Sequence, residues 1–185
     1  MKVFYGTEEY DLGASVAALG TFDGVHAGHR ALIGRAMEIA RVEGLVCAVC
    51  TFDRHPMQTI CPEKVPRQLM TLDEKLAALA EIGVDAAVVQ AFTREAARTE
   101  AAVYLEDLVR ALNVRCVAAG FNYTFGAGGR GNAELIRSEA ARRGIRAEIV
   151  DAVRDGGEVV SSTLIRRLIE TGDDARAEWL IRGVR

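Results

Sequence analysis

The sequence predicts an α/β protein with a Rossmann-like, doubly wound parallel sheet of about five strands, covered by helices on both faces in three layers. Short apolar runs rich in Val, Ala and Ile alternate along the chain with longer stretches of helical period. Glycine or a capping residue stands where many of these helical stretches begin or end. Strands that alternate with helices in this way form parallel sheets through right-handed crossovers.

The elements follow in order from these patterns. The apolar runs predict five strands, at residues 16–22, 45–52, 86–92, 114–120 and 146–153. The helical periods predict helices at 30–43, 72–82, 99–112, 132–143, 162–171 and 173–181. Thr71 and Glu74 form a capping box, and four helices should end at glycine: Gly44, Gly83, Gly144 and Gly172.

Length and composition favour one compact domain over residues 1–185. The chain has 185 residues, of which 50% are apolar and 26% charged, so it can bury a core without disulfides. A net charge of −3 does not suggest a nucleic-acid or membrane surface, and we expect neither partner. No window resembles a membrane span or a signal peptide, which predicts a cytoplasmic protein.

All three histidines follow a predicted strand. His26 and His29 stand in the glycine-rich turn 20–29, which leads from the first strand into a helix. A helix N-terminus offers free N–H groups and a partial positive charge, so two imidazoles there favour a polyphosphate site, with Gly28 leaving room for close approach. Two alternatives remain open: a solvated histidine pair, and a zinc site completed by His55, for which the glycine turn has no obvious use.

A second anion site is predicted before the penultimate helix. Ser161, Ser162 and Thr163 are consecutive, and Arg166 follows one turn later. An N-cap explains one hydroxyl, whereas three hydroxyls and an arginine exceed what a cap needs. Two anion sites at helix starts predict a ligand with a long phosphate chain.

Two other patterns carry less weight. Residues 126–131 match G-x-G-x-x-G, but five residues separate the match from the strand end, so we interpret it as a mobile glycine loop and not as a dinucleotide site. Cys47 and Cys50 have redox spacing, yet within a strand they face opposite sides of the sheet, which predicts buried free thiols. No G-x-S-x-G elbow supports a serine hydrolase.

The two anion motifs resemble those of nucleotidyltransferases with an H-x-G-H signature after the first strand and S-S-T-x-x-R near the end. Within that superfamily the run 20–26, then Thr51 and Phe52 followed by His55 and Pro56, then the run 120–126, are similar to the FAD synthetase (FMN adenylyltransferase) module of bacterial bifunctional riboflavin kinase/FAD synthetases. The resemblance extends from about residue 16 to the C-terminus. It implies the three-layer nucleotidyltransferase fold.

The resemblance also implies a reaction, in which ATP and FMN give FAD and pyrophosphate with Mg²⁺ held mainly by phosphate oxygens and water and not by a protein-built metal site. It implies three catalytic residues, His26, His29 and Arg166. The implied nucleotide-binding residues are Gly20, Phe22, Gly28, Asn122, Ser161, Ser162 and Thr163. The implied flavin-binding residues are His55, Pro56 and Phe125, whereas Asp23 is assigned either a structural or a binding role.

The sequence departs from the family pattern in three respects. Arg54 stands where the family usually has proline, which puts the edge of the flavin pocket in doubt, and Asn122 stands where aspartate is frequent. The usual protein continues into a riboflavin kinase barrel, which we expect to be absent here, so that a separate riboflavin kinase would supply FMN. The open alternatives are an adenylyl- or cytidylyltransferase with another phosphorylated acceptor, and a flavin-nucleotide binding module without turnover.

Overall fold

The chain forms a six-stranded parallel sheet and a separate two-stranded antiparallel hairpin, described over residues 1–183 by a computed structural model. The strands are β1 (Lys2–Tyr5), β2 (Ser15–Leu19), β3 (Val46–Phe52), β4 (Ala86–Gln90), β5 (Val114–Gly120), β6 (Arg146–Val150), β7 (Arg154–Asp155) and β8 (Glu158–Val159). The order in the parallel sheet is β1-β4-β3-β2-β5-β6, and the hairpin β7–β8 precedes the last two helices.

Helices connect the parallel strands and close the chain. They are α1 (Ala27–Glu43), α2 (Met57–Ile60), α3 (Leu72–Ile82), α4 (Ala101–Ala111), α5 (Ala133–Arg143), α6 (Ser162–Glu170) and α7 (Asp174–Arg182). Short 3₁₀ turns lie at Pro62–Lys64, Ala96–Arg98 and Ala127–Gly129. The capping box of α3, formed by Thr71 and Glu74, and three of the four predicted glycine ends are confirmed, since α1, α3 and α5 end at glycines with positive φ. The fourth differs by one residue: Thr171 is the C-cap of α6, and Gly172 follows it with a φ of 80°.

The strand order reverses beside β2. The chain adds β3 and β4 on one side of β2, then crosses back to place β5 and β6 on the other. The carboxyl ends of β2 and β5 therefore flank the topological switch point, where α/β sheets bind their ligands. Two segments follow these strands. The glycine-rich turn 20–29, which carries His26 and His29 and is called the histidine turn below, follows β2, and the loop that contains Asn122 follows β5.

Both faces of the sheet are packed, as a three-layer fold requires. One face, with Leu19 and Cys50, packs against α4 and α5. The other face, with Val16 and Cys47, packs against α1 and α3. Cys47 and Cys50 are buried free thiols on opposite faces, so the prediction that they do not pair is confirmed.

The structure differs from the predicted elements in several respects: β4 and β6 end earlier than predicted, at Gln90 and Val150, and α2 and the β7–β8 hairpin were not predicted. It adds an edge strand, β1, which the sequence analysis missed because only Phe4 of its four residues is buried. The first predicted strand ends at Leu19 instead of Phe22, because the chain turns there and Phe22 takes a positive φ of 50°. Across residues 1–183, the structure has no helix that is long and apolar enough to cross a membrane.

Candidate active site

The turn after β2 places His26 as the N-cap of α1. The imidazole Nδ1 of His26 accepts a hydrogen bond from the backbone N–H of His29, at 3.3 Å. Phe22 and Val25 bend the turn with positive φ angles of 50° and 36°, which non-glycine residues rarely adopt. Backbone strain of this kind is concentrated at functional sites.

The two histidine rings stack on each other at the start of α1. Their centroids are 3.6 Å apart, and the ring of Phe22 meets that of His29 edge to face at 5.1 Å. Burial, together with the nearby charge of Arg166, lowers the pKa of His26 to about 4. Burial also holds the pKa of His29 well below its usual range, with contributions from His26 and Lys75. Both imidazoles are therefore neutral at pH 7.

One ring nitrogen of His29, the buried Nδ1, has no hydrogen-bond partner among the residues that the structure describes. An orphaned buried polar atom is costly, and such atoms are found where a ligand completes the hydrogen bonding. The zinc alternative has no comparable support, because within residues 1–183 no group of three His, Cys, Asp or Glu side chains could hold a metal ion.

The N-terminus of α6 is fixed to the histidine turn. Ser161 caps the helix by accepting from the N–H of Leu164 at 3.2 Å. The hydroxyl of Ser162 donates to the backbone carbonyl of Asp23, at 2.8 Å. The N-terminus of α6 and the histidine turn, which are distant in sequence, therefore form one unit.

An ion pair strengthens this junction. Arg166 Nη2 lies 2.5 Å from Asp23 Oδ2, and Arg166 Nε donates to the carbonyl of Arg67 at 2.7 Å. The other carboxylate oxygen of Asp23 accepts from the N–H of Leu69, at 3.0 Å. Asp23 thus holds the turn, α6 and the segment before α3 together, which assigns it a structural role.

A cavity of about 320 Å³ opens where β2, β5 and α6 meet. It is lined by two of the predicted catalytic residues, His26 and His29, and by most of the predicted nucleotide-binding residues: Gly20, Gly28, Asn122, Ser161, Ser162 and Thr163. Asp151, after β6, adds a carboxylate to its wall. The cavity therefore combines two helix N-termini with neutral imidazoles and hydroxyls, a set of donors suited to phosphate groups.

A second, mostly apolar cavity of about 500 Å³ lies beside the first. The residues predicted for the flavin, His55, Pro56 and Phe125, all line it. Its aromatic walls are two ring pairs, Phe52 with Phe92 and Tyr123 with Phe125. A flat apolar ring system fits such walls.

The two cavities adjoin. Thr21, Tyr123 and Thr124 line both of them. The apolar cavity and the donor-rich cavity therefore share a boundary at these three residues.

Two of the predicted site residues do not line either cavity. Phe22 is fully buried below Gly20, where a Cβ on Gly20 would come within 2.9 Å of the Phe22 ring. Phe22 therefore supports the turn from below and does not line the cavity. Arg166 lies outside both cavities, since Asp23 and the carbonyl of Arg67 hold its guanidinium.

The glycine run 126–131 forms a closed loop beside the apolar cavity. Phe125 and Gly131 are bridged by backbone hydrogen bonds, and a Cβ at Gly126 would meet the backbone of Ala101 at 2.5 Å. Gly126 and Gly129 line the cavity. The run shapes this cavity, and α5 begins only after it, at Ala133.

Sequence analysis missed Lys75, which is buried below the site. Its ammonium donates to Thr51 Oγ1 and to the carbonyl of Phe52, and burial lowers its pKa to about 8. Thr51 in turn donates to the carbonyl of Thr21, at 3.0 Å. Its burial could have been predicted from the sequence, because Lys75 lies one helical turn before Leu79 and therefore on the same, buried face of α3.

Residues 8–164 match the sequence model of the family described as FAD synthetase. The chain is 36% identical over 95% of its length to a bifunctional riboflavin kinase/FMN adenylyltransferase of Listeria monocytogenes, and 35% identical over 90% to one of Escherichia coli. It spans about half the length of these relatives, 56% and 53%. A putative bifunctional riboflavin kinase/FMN adenylyltransferase of Geobacillus thermodenitrificans is 37% identical over 94% of this chain and 92% of its own.

Two solved structures share the fold. A Streptococcus pneumoniae protein described as a macrolide-efflux protein superposes with a TM-score of 0.84 at 25% identity, over 98% of this chain and 60% of its own. The pantoate-beta-alanine ligase of Francisella tularensis superposes with a TM-score of 0.61 at 15% identity, over 96% of this chain and 77% of its own. The second likeness shows the fold alone.

Proposed function

This chain belongs to the FAD synthetase family, and we propose that it transfers the AMP group of ATP to the phosphate of FMN, giving FAD and pyrophosphate. The observation that carries the proposal is the meeting of the two cavities at Thr21, Tyr123 and Thr124. A donor-rich cavity suits a triphosphate, and an adjoining aromatic cavity suits a flavin. The reacting phosphates would meet at their boundary.

In the proposed arrangement, the phosphates of ATP occupy the cavity of His26, Gly28 and His29, with Asn122 helping to fix the nucleotide. The flavin ring lies in the cavity lined by His55, Pro56 and Phe125. The FMN phosphate is anionic near neutral pH and needs no general base. Positioning the attacking oxygen in line with the leaving group then supplies a large part of the catalysis.

In the proposed step, an oxygen of the FMN phosphate forms a bond to the α-phosphorus of ATP. The bond from that phosphorus to the bridging oxygen of pyrophosphate breaks, and the oxygen keeps the electron pair. The neutral imidazoles of His26 and His29 donate N–H groups to the charge that develops on the phosphate oxygens. The orphaned Nδ1 of His29 supports this role, because a bound phosphate would complete its hydrogen bonding.

The leaving pyrophosphate is assigned to the N-terminus of α6. Ser162 and Thr163 provide hydroxyls and free backbone N–H groups there. Arg166 stays a proposed contact, because its Nη1 makes no hydrogen bond to any of residues 1–183 while Nε and Nη2 are held. A phosphate on Nη1 would share the guanidinium with Asp23.

The family implies Mg²⁺, and the residues present fit a metal that is bound chiefly through the substrate. Asp151 is a carboxylate on the wall of the phosphate cavity. Mg²⁺ commonly takes one or two carboxylates together with phosphate oxygens and waters. When bound, the ion would neutralise charge on the phosphates of ATP.

The proposal is tested by incubating the protein with ATP, Mg²⁺ and a panel of phosphorylated acceptors, followed by chromatography. We expect FAD and pyrophosphate in equal amounts with FMN, no product with riboflavin in place of FMN, and loss of turnover when EDTA removes the metal. FMN itself would come from a riboflavin kinase. Adenylylation of a different acceptor would overturn the choice of FMN, and binding of FMN and ATP without pyrophosphate would identify a binding module.

A further inference from the structure

Lys75 is a buried charge that the proposed reaction steps leave unused. It lies on α3 and is only 8% exposed, and its ammonium donates to Thr51 Oγ1 at 3.1 Å and to the carbonyl of Phe52 at 3.2 Å. Thr51 and Phe52 are the last two residues of β3, at the carboxyl edge of the sheet. Hydrogen bonds from an ammonium are stronger than those between neutral groups, and burial makes them costly to break. Lys75 therefore holds the end of β3 in one position.

The first of these contacts leads to the boundary of the two cavities. The Thr51 hydroxyl, which accepts from Lys75, donates in turn to the carbonyl of Thr21 at 3.0 Å. Thr21 lines both cavities, and the next residue, Phe22, has the positive φ of 50°. Strained backbone of this kind persists only where the surrounding structure over-determines it. Through Thr51, Lys75 thus supports the strained start of the histidine turn.

The second contact leads to the wall of the apolar cavity. Lys75 holds the carbonyl of Phe52, and the Phe52 ring lines that cavity, where it meets the Phe92 ring edge to face at 4.9 Å. A single ammonium therefore fixes one residue chain that ends at the boundary of the cavities and one residue in the wall of the apolar cavity. Lys75 itself lines neither of the two cavities.

Two carboxylates keep this ammonium charged. Burial lowers the pKa of Lys75, and the nearby charges of Asp23 and Asp53 oppose that effect, so that the pKa is about 8. Both aspartates line a small cavity together with Lys75, between the histidine turn and the segment before α3. At pH 7 the side chain therefore retains the charge that strengthens its two hydrogen bonds.

On the premise of the proposed function, we propose that Lys75 is a positioning residue for adenylyl transfer. Through Thr51 and Phe52 it aligns the FMN phosphate with the α-phosphorus of ATP where the two cavities meet. The effect belongs to the rate and not to binding, because each substrate keeps the contacts of its own cavity. A misplacement of about 1 Å between reacting groups can lower a rate by about a hundredfold.

The first test is Lys75→Met, with kcat measured at saturating substrates and with separate binding titrations for FMN and for ATP. We expect kcat to fall by about tenfold or more, while each dissociation constant stays within about threefold of the wild type. The matched control is Lys64→Met, which removes the same charge from an exposed position in the 3₁₀ turn Pro62–Lys64 and should leave kcat unchanged. Thermal unfolding checks that each variant is folded.

Thr51 variants test the route through which Lys75 acts. Thr51→Val removes the hydroxyl and should lower kcat as Lys75→Met does, whereas Thr51→Ser keeps the hydroxyl and should retain kcat within about threefold. If both residues act through one connection, the double variant Lys75→Met/Thr51→Val should be no more than about threefold slower than the slower single variant. If Lys75→Met does not fold, the two Thr51 variants decide the question, since neither changes a charge.

Four results would overturn the inference. They are wild-type kcat in a folded Lys75→Met variant, a loss of activity explained entirely by weaker binding of FMN or ATP, losses from the two positions that multiply in the double variant, and equal losses in Thr51→Ser and Thr51→Val. Failure of the wild-type chain to form FAD would overturn the proposed function and the inference with it. Normal FAD formation by the wild type combined with any of the four results overturns the inference alone.

Discussion

Asp23 and Arg166 form a largely buried ion pair, 2.5 Å between Oδ2 and Nη2, that joins the turn after β2 to α6 across 143 residues of sequence. Their side chains are only 9% and 14% exposed. Removing one partner of a buried pair leaves the other charge uncompensated. Breaking the pair should therefore destabilise the junction between the turn and α6.

Asp23→Ala should lower the free energy of unfolding by about 3 to 5 kcal/mol. The substitution leaves the buried guanidinium of Arg166 without its carboxylate partner and the N–H of Leu69 without its acceptor. Urea denaturation measures the change. Asp11→Ala is the matched control, since it breaks an exposed pair with Lys2 and should leave the urea midpoint unchanged. Equal effects of the two substitutions would contradict the structural role of Asp23.

His29→Ala should reduce turnover by about 10² to 10³, which is typical of losing one preorganised donor to transition-state charge. FMN binding should change little, because His29 lines the donor-rich cavity and not the apolar cavity proposed for the flavin. Steady-state kinetics and a binding titration separate the two effects. His29→Gln retains an N–H donor and should recover part of the rate. Near-normal turnover of the alanine variant would remove His29 from the mechanism.

His26 should make the stability depend on pH below neutrality. Because its pKa is about 4 in the folded state, against about 6.5 when unfolded, the unfolded chain binds more protons between these values. Stability should therefore fall as the pH drops through this window, by up to about 1.4 kcal/mol per pH unit for this group. His26→Asn keeps a good N-cap and should lose less stability between pH 7 and pH 5 in urea denaturation. An identical loss in both proteins would show that His26 is not held neutral.

Gly126→Ala should destabilise the loop that borders the apolar cavity. The residue has a φ of +71°, and a Cβ there would lie 2.5 Å from Ala101 Cα. Gly128 has a similar φ of +64° but only Arg130 Nε at 4.0 Å, so Gly128→Ala carries the backbone strain without the clash. That strain alone is worth about 1 to 3 kcal/mol. We expect the Gly126 variant to lose more stability than the Gly128 variant and to bind FMN more weakly, whereas equal losses would mean that contact with Ala101 is unimportant.

The sequence predicted the parts of the fold in which local patterns and tertiary packing agree. β2 to β5 are largely buried apolar runs, and the caps of α1, α3 and α5 have local chemical signatures. β1 was missed because an exposed edge strand of four residues has too weak a pattern. The β7–β8 hairpin was missed because two-residue strands have no period to detect.

Some features of the site could likewise be predicted from the sequence, and others could not. His26, His29 and the hydroxyls of α6 were predicted because each stands beside a helix start. The pairing of Asp23 with Arg166 could not be predicted, since it depends on how the sheet brings distant segments together. Lys75 was detectable in principle as a charged residue on the buried face of α3. Its hydrogen bonds with Thr51 and Phe52, however, require the packing of α3 against the sheet to be known.

The proposed reaction transfers the adenylyl group of ATP to FMN where the two cavities meet. A labelling experiment follows each phosphorus: the protein receives FMN, Mg²⁺ and ATP that carries a radioactive phosphorus at either the α or the γ position, and FAD is then separated from pyrophosphate. We expect the α label in FAD and the γ label in pyrophosphate, with His29→Ala slowing both together. Label from the γ position in the flavin product, or no label from the α position in FAD, would contradict the proposed reaction.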